Sequence, residues 1–274
     1  MKIKNVSNLI VQCWDSAELT VRQEMESKHP DKNEEFITEL FQDELRIKLE
    51  GASASGAVER AFLMDLEAAF PNVMSSDLSR ISNGLVALVN FHARSVEGKT
   101  GGDFGLVLVR PDVSHARFGG SDLMIDEDYQ RGLLCQAKIL GRDAKWGDLT
   151  RSQKRVLTDR MGYFGLMLYQ YLDSDRRKLS EFHWQLAAGN SIEDVTLWLK
   201  TGQFPDLRRS AQILGSLAQD RIGTDDKKII AEFIAPPTRP SLEIRVTWRD
   251  GDGPGPRVHT HVNTHVEQHV IVRH

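Results

Sequence analysis

Two short apolar runs, FGLVLVRP at 104–111 and LLCQAKIL at 133–140, constrain this chain more than anything else in it. Each has the length of a strand and is bounded by turn residues, so each predicts a buried strand. The stretch between them, 112–132, is polar, acidic and Gly-rich and predicts a loop or flap. Yet both runs carry polar groups at their margins. Asp103 stands at the mouth of the first, and Gln136 and Lys138 interrupt the second. Alternate residues of a strand share a face, so Gln136 and Lys138 point one way while Ala137 turns into the core. If the two strands pair, a carboxylate, an amide and an ammonium converge at one sheet edge.

Helical periodicity dominates before them. Residues 34–49 place Ile37, Leu40, Phe41 and Leu45 on one face. Residues 58–70 do the same with Val58, Phe62, Leu66 and Phe70, and Pro71 ends that helix. The segment 51–56 predicts a loop. A third helix is expected over 77–92, with Leu78, Ile81, Leu85, Leu88 and Val89 as its stripe and His92 on the same stripe as a core residue. Beyond the two strands, 148–172 predicts a long helix through Leu157, Met161, Phe164, Leu168 and Tyr171. Residues 181–188 predict a strand. Ser191 and Asp194 predict the capped start of a helix ending near Lys200, and 206–222 predicts a helix stopped by Gly223. The expectation is an α/β or α+β fold, a small central sheet flanked by helices.

The tail changes character. APPTRP at 235–240 reads as a linker, and 241–248 alternates Leu242, Ile244, Val246 and Trp248. After the turn residues of 249–257, residues 258–272 alternate again, with valines on one face and His259, His261, His265 and His269 on the other. A C-terminal β extension over 235–274 is expected, appended to a main domain over 1–234. His261 and His269 would lie about 26 Å apart on one strand, so the four histidines predict a polar face, or a strand that meets a partner, rather than one metal site.

Composition narrows the class. The chain has 274 residues, 40% hydrophobic and 27% charged, as expected of a globular protein. No stretch approaches the ~20 apolar residues of a membrane helix, and the N-terminus lacks the pattern of a signal peptide. Cys13 and Cys135 lie far apart without metal-ligand spacing, which predicts a reduced, cytoplasmic protein. A net charge of −4 argues against coating nucleic acid by bulk charge but leaves room for a local basic groove.

A hard cation such as Mg²⁺ takes few protein oxygens and leaves the rest of its sphere to water and phosphate. Asp103 and the Gln136 carbonyl are candidate ligands. Lys138 is placed to orient or deprotonate an attacking water, or to stabilise charge on a phosphate. The phrases VEGKTGGDFGLVLV and GLLCQAKIL, with Glu97, Asp103, Gln136 and Lys138 in register, resemble the PD-(D/E)xK nuclease superfamily. They look most like its QxK variants, the Mrr-type restriction endonucleases and the nuclease effector domains of anti-phage systems. The resemblance covers about 34–190 and is specific across 96–138. It implies a restriction-endonuclease-like core and hydrolysis of DNA phosphodiesters with Mg²⁺ or Mn²⁺. By position it makes Asp103 the metal-binding acid, puts Gln136 in the second acidic position and makes Lys138 the catalytic lysine. Glu97 would supply a further acid, with Glu59 and Glu67 as weaker candidates. The sequence departs from the pattern in reading Gly-Asp rather than Pro-Asp and in the neutral Gln136.

Arg142, Lys145, Arg151, Lys154 and Arg155 follow the QAK strand and are candidate phosphate contacts. Asp143, Asp148 and Asp159 among them fit an ordinary charged helix face equally well. DRRK at 175–178 and LRRS at 207–210 read as solvated clusters. A defence effector would take its trigger from a partner chain acting as sensor, and a homo-oligomer is expected of such nucleases. The alternatives are a nuclease-like fold that binds nucleic acid or a partner without cutting, and an interaction subunit acting through 235–274.

Overall fold

The N-terminal segment forms the longest helix. In α1 (Lys4–Ser27), Val6, Ile10, Cys13, Trp14, Ala17, Val21 and Met25 recur every three or four residues, and all are buried. The helix begins against a carboxylate from elsewhere. Asp65 is 2% exposed and accepts the Asn5 and Val6 amides at 2.9 and 3.0 Å, satisfying two of the orphan donors of a helix start. Asp65 belongs to α3 (Ala57–Ala69), which follows α2 (Glu34–Ala54). The computed structural model describes residues 4–28, 32–69, 71, 84–91, 100–111, 117–119, 122–124, 128–141, 145–234, 241–247 and 257–262.

Ten strands follow among these residues: β1 (Gly84–Phe91), β2 (Phe104–Pro111), β3 (Arg117–Gly119), β4 (Asp122–Met124), β5 (Asp128–Ile139), β6 (Phe164–Tyr169), β7 (His183–Leu186), β8 (Leu207–Arg209), β9 (Ser241–Thr247) and β10 (Arg257–Val262). The remaining helices are α4 (Arg151–Leu157), α5 (Ile192–Thr201), α6 (Ser210–Ala218) and α7 (Lys227–Ile234). Eight strands form one mixed sheet in the order β10-β9-β1-β2-β5-β6-β7-β8, larger than the small sheet expected. Only β5 and β6 run parallel, joined by α4 as a crossover connection. β3 and β4 form a separate hairpin.

Side chains from α1, α2 and α6 cover one face of the sheet. There Trp14 meets Phe41, Trp184 and Phe104 at ring-centroid distances of 4.8, 5.9 and 6.4 Å. Side chains from α4, α5 and α7 cover the other, around Leu134, Leu157, Leu166, Val195 and Ile230. The chain is thus a three-layer mixed α/β structure.

Several expectations are corrected. The helix expected over 77–92 is replaced at 84–91 by β1, while 77–83 and His92 lie outside the described residues. The long helix over 148–172 is instead α4, a 3₁₀ turn (Thr158–Tyr163) and β6. All six residues of β6 are buried, and a strand covered on both faces is a continuous apolar run that also satisfies a helical count. Gly165 packs against Leu186, where an added Cβ would stand 3.3 Å from Cδ2. The loop expected over 112–132 contains β3, β4 and the start of β5, and the helix over 206–222 is divided into β8 and α6. The helix opened by Ser191 is as expected, with both halves of its capping box formed. The C-terminal hairpin β9–β10 continues the main sheet through the pairing of β9 with β1. His259 and His261 stand on β10 opposite Arg245 and Glu243 in register, and His265 and His269 lie outside the described residues.

Candidate functional site

The site forms where β2 and β5 part. β2 begins at Phe104, opposite Cys135, while β5 runs on to Ile139 paired with β6 alone. From 136 one edge of β5 therefore lacks a neighbouring strand, until the chain returns at Gly147, whose N–H donates to Ile139 O at 3.3 Å. The N–H groups that alternation directs at this open edge are those of Ala137 and Ile139. Both are taken by carboxylates: Ala137 N–H donates to Asp103 Oδ2 at 2.6 Å, and Ile139 N–H to Glu34 Oε2 at 3.1 Å. The two acids thus stand beside one another along the strand, at donors about 6.6 Å apart. By the same alternation the Ala137 carbonyl points out of that edge.

Asp103 is held by the turn before β2. Its own N–H donates to Cys135 O at 2.8 Å. The glycines ahead of it allow the close approach. A Cβ on Gly102 would stand 2.5 Å from Leu134 Cδ1 and 2.9 Å from Cys135 O. One on Gly101, at φ +81°, would stand 2.8 Å from Leu157 Cγ. Glu34 opens α2, where a carboxylate suits the helix dipole. The Asn33 side chain caps this end by accepting Phe36 N–H. From β6, the Tyr169 hydroxyl donates to the Glu34 carbonyl at 3.0 Å and shares a hydrogen bond with Thr38. Burial, and after it the nearby Glu34, holds this phenol protonated well above the usual range.

Lys138 is 5% exposed, and its ammonium meets Glu34 Oε1 at 3.2 Å. Neither charge is left alone in this half-dry setting, where an uncompensated charge would be costly. Gly147 lies over the pair, its Cβ position 3.5 Å from Lys138 Cδ and 3.6 Å from Glu34 Oε2. Gln136 is 1% exposed. Its Nε2 donates to Asp103 Oδ2 at 2.6 Å, and its Oε1 accepts from Gln153 Nε2 at 3.2 Å. Gln153 is the fourth residue of the α4 capping box, and its own Oε1 is occupied by Thr150 N–H at 2.8 Å. A backbone donor cannot reverse, so the Thr150 amide fixes both carboxamides in turn and directs the Gln136 NH₂ at Asp103.

The sequence-predicted Asp103, Gln136 and Lys138 are therefore together. Glu97 and Arg142 lie outside the described residues. Glu59 and Glu67 are on α3, the latter exposed. Lys145 is exposed in the turn after β5, Arg151 and Arg155 are exposed on α4, and Lys154 pairs with Asp148 at 3.1 Å. Sequence reasoning missed Glu34 and Gln153. Gln153 carried a signal, the Thr-x-x-Gln capping box at 150–153. Glu34 carried none that a local pattern displays, since it lies 104 residues from Lys138.

Among the described residues no three His, Cys, Asp or Glu side chains converge as a metal-binding group. The oxygens that this edge presents are those of Asp103, Glu34 and the Ala137 carbonyl, and a hard cation such as Mg²⁺ takes as few as one or two carboxylates from a protein. Cys13 and Cys135 are both buried, and desolvation raises both thiols above their usual range. Among the described residues no helix is long and apolar enough to cross a membrane. Comparison with models of known protein families and with curated proteins finds no match to this chain.

Proposed function

We propose that this protein is a metal-dependent phosphodiesterase of the PD-(D/E)xK type, a DNA endonuclease serving as effector in a bacterial defence system. The observation that carries the reading is the pair of carboxylates, Asp103 and Glu34, flanking Lys138 at the open edge of β5. Asp103, Glu34 and the Ala137 carbonyl would hold Mg²⁺ or Mn²⁺. The ion supplies Lewis-acid stabilisation of the phosphate and a more acidic bound water. Lys138, drawn by Glu34 to the same edge, orients the attacking water and counters charge developing on the phosphate. Gln136 positions Asp103 through its amide. Glu34 takes the part of the upstream glutamate for which the local phrase suggested Glu97. Arg151 and Arg155, one turn apart on α4, contact the DNA backbone. The defence role and a sensor partner rest on the sequence resemblance.

One observation favours a binding module without catalysis: the Gln136 oxygen faces Gln153 rather than the acids. A plasmid-cleavage assay with Mg²⁺, Mn²⁺ or EDTA separates the two. Metal-dependent nicking is expected, reduced at least about a hundredfold in Lys138→Met and in Glu34→Gln, on the scale of losing a charge-stabilising group. Folded wild-type protein that binds DNA but cuts none with either metal would establish the binding module instead.

A further inference from the structure

We infer that the turn between β6 and β7, at residues 173–178, is a second contact for the DNA backbone, flanking the site on the side opposite α4. The inference rests on the nucleic-acid reading above. Its first ground is position. β5 and β6 are parallel neighbours, with Lys138 opposite Leu168 and Ile139 opposite Tyr169. The turns that leave them, one bearing Lys145 and the other Arg176, Arg177 and Lys178, therefore emerge at the same sheet end as the site. The second turn is also tied to the helix that supplies Glu34. The Tyr171 hydroxyl donates to Lys32 O at 3.0 Å, two residues before Glu34, and Tyr169 binds the Glu34 carbonyl.

The second ground is construction. The turn is closed by the bridge of Tyr171 with Leu179 and by Leu172 N–H donating to Lys178 O at 2.7 Å. Asp173 Oδ1 accepts from the Arg177 and Lys178 amides at 3.0 and 2.9 Å, and these backbone hydrogen bonds hold its carboxyl below the usual range. One oxygen of this carboxylate is thus engaged by the backbone of the cluster, and the nearby Arg177 adds to the lowering. Arg176 takes φ 52°, a conformation that costs a non-glycine residue free energy, and its guanidinium lies 4.5 Å over the Tyr171 ring. Arg177 and Lys178 are exposed, and among the described residues neither side chain makes an ion pair. Lys32 is exposed beside them, and Asp175 is the opposing charge in the turn. A fixed backbone presenting two exposed cations suits a regular row of phosphates. It supplies affinity without sequence preference.

The test is fluorescence anisotropy with a labelled duplex of ~30 base pairs, in EDTA so that no strand is cut, over a range of NaCl concentrations. Arg177→Ala with Lys178→Ala is expected to weaken binding by about tenfold near 0.1 M salt and to reduce the salt slope by about two. Both side chains are exposed, so the melting temperature should stay at the wild-type value. Arg151→Ala with Arg155→Ala serves as the comparison. If that variant loses affinity while the 177/178 variant matches wild type in affinity and slope, the inference falls and the nucleic-acid reading stands. If the 177/178 variant loses affinity but the wild type cuts nothing in the plasmid assay, the contact stands and the nuclease reading falls. A wild type that binds no duplex overturns both.

Discussion

At the residue scale, Gln136 has a physical reason to be an amide. Its NH₂ group donates to Asp103 at 2.6 Å, where a glutamate would place two carboxylates in contact unless a proton or a cation lay between them. Gln136→Glu should therefore make folding depend on metal. It is expected to lower stability by about 1–3 kcal/mol in EDTA and to regain it with Mn²⁺, read by thermal melts with and without the ion. Equal melts in both buffers would show that the two groups do not face one another. Gln153→Ala frees the Gln136 oxygen to turn toward the acids. Several-fold tighter Mn²⁺ binding by titration calorimetry is expected, and weaker binding would mean that Gln153 is needed to hold Gln136 in place. Asp103, Gln136 and Lys138 were legible because polar residues inside an apolar strand stand out. Glu34 was not, because it reaches the site through the first turn of a distant helix and not through any local spacing.

At the scale of elements, the start of α1 is capped by one side chain of α3. Asp65→Ala would orphan two amides at the helix start, costing about 1–3 kcal/mol. For a chain of this size that is a melting shift of several degrees, with loss of helical signal below the main transition if α1 detaches alone. An unshifted melt would mean that water replaces the carboxylate without cost. The elements also show where sequence patterns carry information. β2 and the second half of β5 were legible because short apolar runs bounded by turn residues leave little else to be, and α5 because both halves of its capping box are written in Ser191 and Asp194. β6 was not. Phe164 and Leu168 keep a helical spacing only because every position of that strand is buried. The distinction lay in Gly162 and Gly165, which a helix tolerates poorly.

At the scale of the molecule, the packing of α1 against β7 and α6 converges on Glu18. This residue is 7% exposed, accepts Phe182 N–H at 2.6 Å, and lines a cavity of about 290 Å³ with Asp15, Arg22, Glu181, Arg209 and Ser210. Desolvation raises its carboxyl to about 7, above the ordinary 4.5, against the lowering effect of the Phe182 amide and Arg22; Asp15 and Glu181 add to the rise. The folded state thus holds this proton more tightly than the unfolded chain. Its stabilising contribution is complete below about pH 4.5 and is lost as the pH rises to about 7. Urea unfolding between pH 5 and 8 should show wild-type stability falling by up to ~3 kcal/mol, while Glu18→Gln stays level and exceeds wild type at pH 8. Parallel pH profiles for the two proteins would remove Glu18 as the cause.

The open edge of β5 carries a practical consequence. In many enzymes the reactive groups are a burden on the fold, and replacing them yields a firmer, silent protein. Here the two acids also finish the ladder that β2 leaves incomplete, since the Ala137 and Ile139 amides have no neighbouring strand on that side. Deleting either carboxylate leaves a buried or half-buried main-chain N–H unmatched in the middle of an eight-stranded sheet, which costs free energy. Asp103→Asn keeps an oxygen for Ala137 and should give a well-behaved inert protein for trapping complexes. Asp103→Ala should give a softer one, with a lower melting temperature.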